Sequence, residues 1–135
     1  MRIIKQTVIL LIFLLIGSSN GYSQNSTETE NEINNFVKKN IKEVLIKIPI
    51  NQEKQFGFNN REEFSKVEIG KALSFVIYNK SSESELHIWR VPIMVDGKYR
   101  ALLTITKEND KYAIADFGAA TLAKDIKQRI DKYPK

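Results

Sequence analysis

The sequence predicts an α+β domain in which a four-stranded antiparallel meander packs against an N-terminal and a C-terminal helix. Three observations carry that expectation. From Ile33 to Ile48 the apolar residues recur in steps of three and four, the spacing of one helix face. Between positions 72 and 116, β-branched and aromatic runs alternate with polar turns, as strands and hairpins do. After Gly118 a second amphipathic stretch closes the chain. Strands grouped between two helices, rather than alternating with them, describe an antiparallel sheet burying one face under its helices.

Taken in order, the chain begins with a basic head (Arg2, Lys5), nine uninterrupted apolar residues from Val8 to Ile16, and a tail of small and polar residues from Gly17 to Ser23. That three-part pattern predicts a secretory signal peptide over 1–23, cut between Ser23 and Gln24, with small residues at Gly21 and Ser23 fitting the peptidase cleft. As a helix Thr7 to Ile16 would reach only about 15 Å, half of a hydrocarbon core of roughly 30 Å, so removal is expected rather than permanent anchoring. No cysteine follows to carry a lipid. Removing 1–23 takes two of 21 basic residues and none of 16 acids, which lowers the net charge from +5 to +3. The expected product is a single exported domain, periplasmic or secreted, over 32–135 behind a flexible polar leader at 24–31. Asn25-Ser26-Thr27 in that leader matches a glycosylation acceptor, a short pattern of little weight.

A first helix is expected over about 30–47, with Ile33, Phe36, Val37, Ile41, Val44, Leu45 and Ile48 inward and Pro49 as its stop. Residues 50–59 have no period and read as a loop tucking Phe56 and Phe58 under the domain. Asn60, followed three positions later by Glu63, is a capping-box-like start for a short helix to about Lys66. Strands are expected at 72–78, 86–95, 99–106 and 111–116. Asp96-Gly97 marks a tight hairpin, because both residues tolerate positive φ. Pro92, with no N–H, implies a bulge or an unpaired stretch in the second of these strands. In the last helix Leu122, Ala123, Ile126, Ile130 and Tyr133 fall on one side. The expected buried set is Phe36, Leu45, Phe64, Phe75, Leu102, Ile114, Phe117 and Ile126.

Composition excludes several chemistries. There is no Cys and one His, so thiol catalysis, disulfides, iron–sulfur clusters, Cys-based zinc sites and His-rich metal sites cannot be intrinsic to the chain. His87 could act with Ser81, Ser82 or Ser84 and with Asp96 or Asp116, yet no nucleophile-elbow pattern surrounds those serines. Glu62, Glu63, Glu68 and Asp116 offer no spacing that selects a catalytic pair. Gly70-Lys71 lacks the rest of a phosphate loop, and Asp116-Phe117-Gly118 stands without the other kinase motifs. The latter reads instead as a strand end, with Asp116 available to cap the next helix, Phe117 to fill the core and Gly118 to bend the chain. The lysines of both helices are interrupted by Glu43, Asp125 and Asp131, which together with export argues against nucleic acid. The expectation is a non-enzymatic protein without cofactor or metal.

The residue types that favour binding cluster at Trp89, Arg90, Tyr99 and Arg100, two large aromatics and two arginines on adjacent strands. They form either an interface, since Trp, Tyr and Arg supply rigid contacts, or a core tryptophan with surface arginines. Ile48-Pro49, Phe56-Gly57-Phe58, Arg61-Glu62-Glu63-Phe64, Trp89-Arg90-Val91-Pro92, the run from Asp96 to Leu103 and Asp116-Phe117-Gly118-Ala119 together resemble a small uncharacterised exported bacterial α+β module. Similar blocks occur in regions preceding extracellular papain-like peptidase domains. The resemblance covers about 33–130. Size and element order are also similar to propeptide-like inhibitors of streptopain-type cysteine peptidases, a likeness at the level of fold alone. It implies a binding module that holds or inhibits an extracellular peptidase. The alternative is a small-ligand or envelope-polymer binder using the loop around Phe56 and Phe58.

Overall fold

The computed structural model describes residues 21–133, with side chains from residue 26, and the expected signal segment falls outside these residues over 1–20. The chain divides into two units at residue 32. In the first, helix α1 (Gly21–Ile46) is already under way, so the expected leader at 24–31 is helical. No proline or glycine interrupts 24–46, and the polar residues over 26–32 extend the helix with their side chains exposed or half-buried.

In the second unit the expected stripe is the core of the fold. Ile33, Val37, Ile41, Leu45 and Ile48 are all buried, at 0–8% exposure. The last turn tightens as Lys47 and Ile48 donate to the carbonyls of Val44 and Leu45, and Pro49 then ends the helix. A 3-10 turn at Glu53–Phe56 and a second at Arg61–Lys66 follow. The second starts as the sequence predicts, with the Asn60 side chain accepting from the Glu63 N–H at 3.2 Å.

The sheet comprises β1 (Glu68–Ile69), β2 (Leu73–Asn79), β3 (Ser84–Val95), β4 (Lys98–Glu108) and β5 (Lys111–Gly118), every pairing antiparallel. With α1 and α2 (Ala120–Lys132), it makes the α+β domain expected. The two-residue β1 was not anticipated; it and β2 pair with successive parts of β3 along one edge, β2 reaching Arg90 and β1 starting at Ile93. Pro92 occupies the interval between them. Its carbonyl accepts from the Gly70 N–H at 2.8 Å, so its missing donor faces the gap and costs no ladder bond. The irregularity expected at Pro92 lies one residue on, at Ile93/Met94, where Arg100 of β4 is the extra residue.

Alternation along the strands places Val91, Ile93 and Val95 of β3 with Ala101, Leu103 and Ile105 of β4 against the α1 stripe, in one buried cluster that includes Phe58. Leu102, which alternation turns to the opposite face, is buried outside that cluster, as is Ala123 of α2; α2 packs against β4. The expectation that both helices share one face is therefore not met.

Of the expected core, Leu45 and Leu102 are buried, while Phe36, Phe64, Ile114, Phe117 and Ile126 are half-buried. Phe75 is exposed, because β2 is an edge strand whose residues on both faces lack a covering layer among the described residues. Asp116 does not cap α2: the N-cap position is Ala119, in the left-handed region, with no side-chain hydrogen bond. The apolar side of α2 is also less buried than expected, with Leu122, Ile130 and Tyr133 exposed. Leu103→Ala should accordingly cost roughly 2 to 5 kcal/mol in urea unfolding, and Phe75→Ala less than about 1 kcal/mol. Equal losses would show that Phe75 is buried after all. No helix among the described residues is long and apolar enough to cross a membrane.

Candidate functional site

The fold does not gather the four residues singled out above into one patch. Trp89 pairs with Ile105, six positions along β4 from Tyr99, a separation of about 20 Å at ~3.4 Å per residue. Trp89 and Arg90 point to opposite faces as neighbours in a strand. The Trp89 ring meets Tyr112 edge-on at 5.8 Å, and the Arg90 guanidinium lies 5.8 Å from the centre of the Phe75 ring. Tyr99 faces Lys127 of α2 at 6.0 Å. Arg100 is held by Glu63, Nη2 donating to Oε1 at 2.7 Å, with both side chains largely buried.

Glu63 is the residue whose role the sequence understates. Beyond starting a 3-10 turn, its carboxylate accepts from the Asn59 N–H at 2.8 Å, the Asn59 amide at 2.9 Å and Arg100. The capping-box spacing is visible, but the reach to a guanidinium 37 positions away is not. A second, more exposed pair stands beside it: Arg61 Nε donates to Glu53 at 2.8 Å and Nη2 to the Ile48 carbonyl at 2.6 Å. The Glu53 carboxyl is held below its ordinary value of 4.5, first by its own backbone N–H and then by Arg61. These bonds tie the irregular segment after α1 to β4 and to the helix end, a structural role.

His87 is exposed, with Nε2 3.7 Å from the Glu85 carboxylate, while the Ser82 and Ser84 hydroxyls bond each other at 2.6 Å. No group of three potential metal ligands occurs among the described residues.

Three surfaces could receive a partner. The first is β2, whose only strand partner among the described residues is β3. Phe75, Val76, Ile77 and Tyr78 are consecutive there and 41–56% exposed, with Leu86 across from Ile77 also exposed. The second is a cleft of about 460 Å³ between the start of β4 and α2, which takes in Tyr99 and Arg100. The third, of about 380 Å³, is lined by Val44, Ile48, Phe56, Ile114 and Phe117, with Lys47 as its charged member. Of the aromatic loop expected to bind ligand, Phe58 is buried in the core and Phe56 lies against Phe117, ring centres 6.0 Å apart. Comparison with family models, with curated proteins and with solved structures finds no match for the chain.

Proposed function

We propose that the protein is an exported, non-enzymatic binding module that holds an extracellular peptidase by adding an extended segment of that partner to the free edge of β2. The observation that carries this reading is the chemistry of the edge. Edge strands are ordinarily shielded by charge, proline, a bulge or a covering element, because their unpaired N–H and C=O groups accept a further strand. Leu73–Asn79 contains no charge, proline or glycine, and it presents large apolar side chains on both faces. An added strand would gain backbone hydrogen bonds from the edge and side-chain contacts from Phe75 and Ile77 on one face and Val76 and Tyr78 on the other. Export rests on the pattern of residues 1–23, and the peptidase on the resemblance of the blocks between 33 and 130.

The test is capture from envelope and secreted fractions with the tagged protein, read by mass spectrometry beside a Phe75→Lys, Ile77→Lys variant. Both positions are exposed, so the lysines should close the edge and leave the fold intact, whereas replacing Trp89 would disturb its packing on Tyr112. Recovery of a cysteine peptidase by the parent and its loss with the folded variant is the expected result. Absence of any peptidase, or equal recovery by both proteins, sinks the proposal. The apolar cleft beside Phe56 favours a second reading, a small-ligand binder, which a thermal-shift screen with Phe56→Ala as control would bring out.

A further inference from the structure

We infer that the cleft between the start of β4 and α2 is a binding site for a small anion bearing oxyanion groups on a polar ring, that is, an acidic sugar. Its strand wall carries Lys98, Tyr99 and Arg100, and its helix wall carries Lys124, Lys127 and Asp131. Four cations thus face one acid. Lys127 is engaged by Asp131 and Arg100 by Glu63, while Lys98 and Lys124 have no ion-pair partner among the described residues. Like charges gathered around a concavity repel one another, and a bound anion reverses that cost.

The seating of α2 on β4 supplies the second wall of the cleft. Ala123 is buried and Ile126 half-buried where α2 sits on β4, and Lys124, Lys127, Gln128 and Asp131, at the spacing of one helix face, line the cleft beside that seat. The ring class of the ligand follows from Tyr99, half-buried at the cleft, whose flat face suits a ring, and from Gln128, whose amide both donates and accepts. At about 460 Å³ the cleft is in the range of small-ligand sites. Carboxylate and phosphate share the recognising chemistry.

The experiment is calorimetric titration of the purified protein with trigalacturonate, with glucose 6-phosphate and with neutral maltotriose, at low and at raised salt. Saturable binding of at least one anionic probe, weakened by salt and absent with maltotriose, is expected, and the probe that binds separates carboxylate from phosphate. A Lys98→Ala, Lys124→Ala variant should lose affinity by about tenfold or more, while Arg129→Ala, on α2 but outside the cleft, should not. Unchanged thermal midpoints keep folding out of the comparison. No saturable binding of either anion, equal binding of maltotriose, or unaltered affinity in the double variant overturns the inference. The site lies away from β2, so its outcome is independent of the docking reading.

Discussion

Replacing Gly57 by alanine is expected to destabilise the domain by roughly 3 to 6 kcal/mol, enough to leave a marginal domain largely unfolded. Two effects add. Gly57 has φ +92°, in the region that side chains with a Cβ rarely adopt. A Cβ built there would also stand 1.9 Å from the Arg100 carbonyl oxygen and 2.8 Å from the Ala120 Cβ, so backbone would have to move. Gly97 supplies the control. Its φ is +72°, yet nothing lies within 4 Å of the added atom, and Gly97→Ala should cost only about 1 to 2 kcal/mol. Urea unfolding of the pair measures the difference; equal losses would mean that the chain after α1 does not approach β4 as closely as described.

Glu63→Ala should cost about 3 to 5 kcal/mol, because it removes one partner of a largely buried ion pair and leaves the Arg100 guanidinium and the Asn59 donors without an acceptor. Arg100 Nε is already buried without a hydrogen-bond partner, so the arginine has little else to fall back on. Replacing both residues by methionine should recover much of the loss, since two apolar side chains of similar bulk need no counter-charge. A double-mutant cycle checks this, and additive losses would show the two residues to be uncoupled. The neighbouring Arg61–Glu53 pair, with the arginine more than a third exposed, should show a much weaker coupling.

Much of the fold is legible in the sequence because its signals are local. The Ile33-to-Ile48 stripe specifies a helix and its inner face, Asp96-Gly97 a hairpin, and Asn60 with Glu63 a helical start. What is not legible concerns partners distant in the chain. The alternation of Leu73, Phe75 and Ile77 with Val76 and Tyr78 is apolar on both faces and reads as a buried strand, yet hydrophobicity states what could be covered and not whether the same chain covers it. The apolar side of α2 misleads in the same way, and its lysines read as a solvated surface until the fold sets them beside Tyr99. Pro92 is readable as a defect in pairing, but only the fold shows its missing donor directed into the gap between two short edge strands. Trp89, Arg90, Tyr99 and Arg100 are neighbours in a list of residue types and are separated by the register of β3 on β4.

The edge strand β2 also bears on how the protein behaves at high concentration. Its seven residues combine strong strand preference with no charge, proline or glycine, the composition of segments that stack into intermolecular sheets. Lys71 and Lys80 stand just outside it and act as gatekeepers, slowing stacking by repulsion without blocking the edge itself. The stretch proposed to take a partner strand is therefore also the one expected to set how concentrated the free protein can be kept before it precipitates. A ligand strand seated there would act as a solubiliser, so purification alone and purification in complex should give preparations of very different shelf life.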